Sequence, residues 1–157
     1  MNIFHLHKDP KICAEYHCDK HVVKMIVETA QMLSTAYRRH FNDGADLYKT
    51  AYPKHPMTIW VGDRGNNFQW SLELLDELLY QYKFRYEKEH STKYISDLLH
   101  NKYTSWQSWN TEFTPPPQCM PDKCKHSDYI TAYRIYYVNE KKDFATYTKV
   151  ATPHFMC

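Results

Sequence analysis

The sequence predicts an all-α protein: a compact bundle of about four main helices with one long loop rich in aromatic residues and proline. Three observations carry that reading. The 157 residues include only 3 Gly against 14 Tyr and 4 Trp, a composition that suits aromatic-packed helices and supplies few residues for the tight turns of a β protein. Apolar residues recur at steps of three and four along most of the length, the period of a helix with one buried face. The connections between those stretches are short, apart from 101–125. At this length a single helical domain over 1–157 is expected, with enough chain to bury a substantial core.

Taken in order, Met1 to His7 (MNIFHLH) alternates and reads as a short extended segment. The longest helical stretch follows, Asp9 to His40. It opens on Asp9-Pro10, an N-cap acceptor and a proline whose missing N–H costs nothing at the first helical position. No Gly or Pro follows until Gly44, so one continuous helix is predicted, with Ile12, Val22, Ile26, Ala30, Leu33 and Tyr37 as its apolar face. Asn42-Asp43-Gly44 turns the chain into a linker on which Tyr48 and Tyr52 pack. His55-Pro56 then starts a short element, MTIW, that ends at Gly62. A second strong helix runs from Asn66 to about Glu89 on Phe68, Leu72, Leu75, Leu79 and Tyr82. Ser91-Thr92 caps a third, with Tyr94, Ile95, Leu98 and Leu99. Residues 101–125 are irregular and carry Trp106, Trp109, Phe113 and Pro115-Pro116-Pro117. A last helix begins near Ser127 and carries Ile130, Tyr133, Tyr137 and Phe144.

The first helix is the densest in titratable groups. Glu15 and Asp19 lie four apart where its apolar face nears the start, and carboxylates there are seldom buried unless paired. With His21 they are the candidate catalytic groups. The helix dipole also favours first-turn acids that stay in solvent. His17, His21, Lys24, Glu28 and Gln31 form a second stripe. His17, Lys20, Lys24 and Glu28, with His55, Trp60 and Arg85, are the candidates for holding a phosphorylated ligand; such a row is equally the solvated side of an amphipathic helix. If His17 and His21 titrate near the ordinary histidine value, affinity for a phosphate ligand rises as pH falls from about 7.5 to 6.

The net charge of +2 provides no strong field, yet the basic residues are grouped. Lys8, Lys11, Lys20 and Lys24, then Arg38 and Arg39, lie on the first helix. Arg64, Lys83, Arg85 and Lys88 are interleaved with Tyr80, Tyr82 and Tyr86, a pattern that suits DNA or a nucleotide. Three glycines exclude a phosphate-cradling P-loop, and no run of 18 apolar residues spans a membrane. Five cysteines and no signal peptide favour a reducing cytosol. Cys13, His17, Cys18 and His21, and likewise Cys119, Cys124 and His126, lack the paired loop spacing of structural zinc, so buried thiols and no metal or cofactor are expected. Cys18 and His21 lie one turn apart but want an orienting third group for nucleophilic catalysis. His5, His7, His17, His21 and Asp19 leave a metal-dependent phosphodiesterase open as an alternative.

Five segments, HCDKHVVKM (17–25), YPKHPMTIW (52–60), Asn67 with Trp70, PPPQCMPD (115–122) and AYRIYY (132–137), resemble a family of short tailed-phage proteins over nearly the whole chain. That resemblance implies no activity, but it implies a phage protein acting in the host cytosol. The layout also resembles the pyrimidine-dimer DNA glycosylase and AP-lyase family. The shared features are a few N-terminal residues, a long helix with an acidic cluster, Tyr52-x-x-His55-Pro56, and a helix ending in Arg85-Tyr86. In that family a carboxylate on the first helix works beside the N-terminal amine, which attacks the sugar C1′ and forms a Schiff base. Ala14-Glu15-Tyr16-His17-Cys18 is similar to the family's Ala/Gly-Glu-aromatic-Arg-Glu. His17 and Cys18 replace the Arg and the catalytic Glu, and Asn2 stands where the family has a small residue exposed by loss of Met1. The resemblance implies a base-excision N-glycosylase in which Glu15 or Asp19 serves the sugar, His17, His21 and Lys24 hold phosphate, and Trp106, Trp109 and His55 line a pocket for an extruded nucleotide. The alternative from another class is a non-catalytic protein that sequesters a phosphorylated small ligand or blocks a host protein.

Overall fold

The computed structural model describes residues 1–102 and 112–157. Six α-helices follow one another: α1 (Pro10–Tyr16), α2 (Asp19–Phe41), α3 (Pro56–Asp63), α4 (Gly65–Tyr86), α5 (Lys93–Asn101) and α6 (Tyr129–Lys141), with 3-10 turns at Asp122–Cys124, Lys142–Phe144 and His154–Met156. No strand occurs among the described residues, as the composition predicts. Asp9 caps α1 by accepting Lys11 N–H at 2.8 Å, and Asp128 caps α6 through Thr131 N–H at 2.9 Å. α2 and α4 end on Asn42 and Glu87 in the left-handed region, at φ 48° and 58°. The predicted Trp106 and Trp109 lie outside the described residues.

One expectation is corrected. The stretch Asp9 to His40 is two helices, broken at His17 and Cys18, both extended (ψ 131° and 161°). No glycine or proline marks the break, because groups from elsewhere in the chain supply the partners the helix would have given. Arg85 donates to the carbonyls of Glu15 (3.0 Å) and His17 (2.9 Å), Cys18 N–H reaches the Tyr137 hydroxyl (3.2 Å), and Asp19 N–H reaches Thr146 O (2.8 Å). Helix formation was the cheaper local choice, and tertiary contacts overrode it.

The N-terminal segment forms neither helix nor strand, Leu6 N–H turning back to Phe4 O (3.0 Å), and the alternation within it has no solvent side. Ile3, Phe4, His5 and Leu6 are all buried, because helices enclose the segment. Its backbone is satisfied by side chains: Arg134 Nε donates to Leu6 O (2.9 Å), Trp70 Nε1 to Lys8 O (2.8 Å) and Cys13 Sγ to Phe4 O (3.2 Å). α2 packs on α3 and α4, and α1 on α4. At Gly62 a Cβ would stand 3.0 Å from Ala36 Cβ, so glycine there lets α3 approach α2 closely. That approach brings His55, the N-cap of α3, over the middle of α2.

Candidate active site at the N-terminal amine

Met1 is tucked against the core with its side chain 2% exposed, and its α-ammonium stands 3.1 Å from Glu28 Oε1 on α2. Asn2 fastens this end of the chain: its Nδ2 donates to Cys119 O (2.9 Å) and its Oδ1 accepts Ile3 N–H (2.9 Å). The second oxygen of Glu28 is buried without a hydrogen bond, 3.9 Å from the exposed Lys24 Nζ. The carboxylate therefore holds the amine with one oxygen and keeps the other uncommitted. His55 accepts Met57 N–H on Nδ1 at 3.1 Å, which leaves its proton on Nε2. Burial lowers the pKa of His55, as does the Met1 ammonium, while Glu28 opposes them.

Of the nearby lysines, Lys24 stands beside this pair, and Lys20 and Lys141 gather with it around His21. Lys20 Nζ lies 4.7 Å over the exposed Phe144 ring, and Lys141 Nζ lies 5.0 Å over Tyr136. Aromatic faces hold these two cations without cancelling their charge, as a carboxylate would. Lys20, Lys24 and Lys141 all lie close enough to His21 to disfavour its protonation. Lys24, Glu28 and His55, candidates in the sequence, thus meet beside Met1, with Lys20 farther toward the start of α2 on the same stripe. The sequence reading missed Met1's amine in this chain, and Lys141, Tyr136 and Phe144. The first belongs to the backbone and leaves no residue pattern; the others come from α6 and the turn after it, over 100 residues distant.

Glu15 and Asp19 take a different place. Asp19 lies nine residues from Glu28, about 14 Å along α2. Its Oδ1 accepts Arg85 Nη1 (3.0 Å) and Thr148 N–H (2.9 Å), and its Oδ2 accepts the hydroxyls of Thr148 (2.7 Å) and Thr146 (3.0 Å). Burial alone would raise its pKa, but the Thr148 and Thr146 donors and Arg85 outweigh that and hold it below the usual value. Arg85 is fully buried, with Nε donating to Gln81 Oε1 (3.1 Å). It binds the helix break from within the core, where it meets the backbone carbonyl of Glu15. Asp19 and Arg85 are committed to architecture.

The histidine row is likewise drawn inward. His17 is fully buried, with Nδ1 2.7 Å from Cys13 O and Nε2 unpartnered. Burial lowers its pKa to about 4, against the Cys13 carbonyl, with Arg85 adding to the fall. His21 stacks on Phe4 (4.5 Å, 5°) with Nδ1 2.7 Å from the Tyr137 hydroxyl. Burial, then His17 and the lysines, lowers its pKa to about 3. Neither ring is charged between pH 7.5 and 6, so the predicted histidine-driven rise in phosphate affinity has no titrating group behind it. Trp60 is also buried, its Nε1 donating to Thr114 O (2.9 Å). Among the described residues no group of three or more His, Cys, Asp or Glu is placed to hold a metal ion, and Cys13, Cys18, Cys119, Cys124 and Cys157 are free thiols. Among the described residues no helix is long and apolar enough to cross a membrane.

Residues 1–94 match the family described as pyrimidine dimer DNA glycosylase. The matched stretch contains Met1, Lys20, Lys24, Glu28 and His55. No curated protein and no solved structure matches the chain.

Proposed function

The chain belongs to the pyrimidine dimer DNA glycosylase family, and on that premise we propose that it is a base-excision enzyme that opens the N-glycosidic bond of a damaged nucleotide in DNA. The α-amine of Met1 is the nucleophile and Glu28 the carboxylate that works beside it. The observation that carries this reading is the 3.1 Å contact between Met1 N and Glu28 Oε1, with Lys24 beside it.

The chemistry follows from the pair. Only an unprotonated amine is a nucleophile, so the reaction runs through the neutral form of Met1. The amine attacks the sugar C1′, the C1′–base bond breaks, and the base leaves with the bonding electrons and takes a proton from water. Glu28 takes the proton that the attacking nitrogen sheds and returns it to the ring oxygen as the sugar opens to an imine on Met1; loss of a C2′ proton to water then expels the 3′ phosphate, which cuts the strand. The carboxylate also opposes the positive charge that grows on the sugar. Lys20, Lys24 and Lys141 neutralise the flanking phosphates, and Phe144 and Tyr136 offer ring faces between them. The amine and carboxylate, 3.1 Å apart, are positioned in advance, which lowers the entropic part of the barrier.

A denaturing-gel assay on duplexes carrying ultraviolet photoproducts, uracil or an abasic site tests this. Native protein is expected to cleave at least one of them, and Glu28→Gln to slow that cleavage by about 100-fold or more with the fold intact. Folded native protein that leaves all three duplexes whole, or Glu28→Gln protein as active as native, overturns the reading.

A further inference from the structure

The groove between α4 and α5 carries chemistry that the amine surface does not use. It encloses about 360 Å³, with Leu79 and Tyr80 as its apolar part and Asp76, His90, Ser96 and His100 among its polar residues. It lies on the side of α4 opposite Gln81 and Arg85: at 3.6 residues per turn, positions 76, 79, 80 and 83 share one face and 81 and 85 the other.

Its two histidines share the Nε2–H tautomer, set by their neighbours through opposite nitrogens. The Asp76 carboxylate accepts Ser96 Oγ at 2.5 Å and His100 Nε2 at 2.7 Å. A carboxylate only accepts, so His100 carries a proton on Nε2 and, when neutral, turns a lone pair outward at Nδ1. His90 Nδ1 accepts Thr92 N–H at 3.0 Å, so its proton is on Nε2. The groove therefore offers a fixed ring acceptor and a fixed ring donor beside an aromatic face. Its charges are already matched, Lys83 with Glu89 (3.4 Å) and Lys93 with Asp97 (3.1 Å), which leaves no surplus cation for a simple anion. A metal suits it poorly, since His90 would have to surrender the Thr92 bond to bare its Nε2 lone pair. The aromatic surface also continues past the groove, for Tyr80 and the exposed Phe84 lie parallel (6.2 Å, 4°).

We propose that this groove binds a planar heterocycle whose edge presents both a hydrogen-bond donor and an acceptor, the chemistry of a nucleobase, with its ring laid on Tyr80 and its edge read by His90 and His100. The base could come from a free nucleoside or from an unstacked position in a single strand, and both present the same edge. Neither source requires the amine chemistry proposed above.

The test is a titration of the isotope-labelled full chain with uridine, with adenosine and with an undamaged single-stranded oligonucleotide, followed by amide and histidine-ring resonances. Saturable shifts at Leu79, Tyr80 and Ser96 are expected, with affinity of about millimolar or tighter. A response to nucleosides alone assigns the groove to free ligand, and a response to the oligonucleotide alone assigns it to a strand; either supports the site. His90→Ala and His100→Ala are each expected to weaken binding about fivefold or more, and His100→Gln, which keeps an acceptor, to weaken it less. Tyr80→Ala, at a position 58% exposed, is a variant that leaves the core untouched and is expected to weaken binding too. No saturable shift with any of the three probes, or shifts that persist unchanged in both histidine-to-alanine proteins, overturns the proposal.

Discussion

His5 shows what burial does to an imidazole that is given no partner. The ring is fully enclosed, stacked on Trp70 (4.6 Å, 21°) with Trp60 edge-on (5.0 Å, 90°), and neither nitrogen has a hydrogen-bond partner among the described residues. Burial, and then the proximity of His17, lowers its pKa to about 3. An unsatisfied buried polar atom costs about 1–3 kcal/mol, whereas a ring of similar shape without nitrogens avoids that cost. His5→Phe is therefore expected to raise unfolding stability by about 1 kcal/mol in urea titration. A loss of that size instead would show that the nitrogens have partners that matter. Glu28 teaches the complementary lesson: its one committed oxygen faces an amine that no side-chain pattern announces. The sequence placed it among the phosphate-holding residues, and only the folded backbone brings Met1 to it.

The break between α1 and α2 is the element on which the architecture turns, and Arg85 is its fastening. One guanidinium serves two carbonyls, the Asp19 carboxylate and Gln81, all from full burial. Lysine has no planar fork and cannot reach all four acceptors, so Arg85→Lys is expected to cost about 3 kcal/mol by denaturant midpoint. Thr148→Val removes one donor to Asp19 and is expected to cost about 1 kcal/mol. An Arg85→Lys protein within about 0.5 kcal/mol of native would mean that the break is held by other contacts. The helices themselves were legible where local chemistry decides them. Asp9-Pro10 caps as its types require; Val22, Ile26, Ala30, Leu33 and Tyr37 on α2 and Phe68, Leu72 and Leu75 on α4 are buried as their period demands, while Leu79 and Tyr82 are half-buried. The break was not legible, because its cause lies in Arg85, Tyr137 and Thr146, all distant in sequence. Asp19 was legible only as an acid in a first turn, which it is, though of the second helix.

At the scale of the whole molecule, the buried histidines decide how it meets acid. His5, His17 and His21 have folded-state values of about 3, 4 and 3, below the ordinary value of 6.5. The unfolded chain therefore binds protons that the folded chain refuses. Stability is full above pH 6.5 and falls as pH drops from there toward 4, by on the order of 1 kcal/mol per pH unit for each histidine. Denaturation midpoints measured from pH 7.5 to 4.5 are expected to show that decline, and a flat profile would contradict it. DNA affinity from pH 7.5 to 6 is expected to owe nothing to His17 or His21 and to fall with salt as lysine–phosphate contacts release counterions. Glu28 and His55 both lie beside the Met1 amine, so the central claim concerns one nitrogen. Borohydride reduction during reaction with an abasic-site duplex tests it most directly, because it fixes any imine as a stable bond. The expected result is a covalent protein–DNA adduct whose proteolytic fragment carries the sugar on the α-nitrogen of Met1, and whose yield disappears when that amine is acetylated. An adduct on a lysine side chain, or none at all from folded protein, would contradict it.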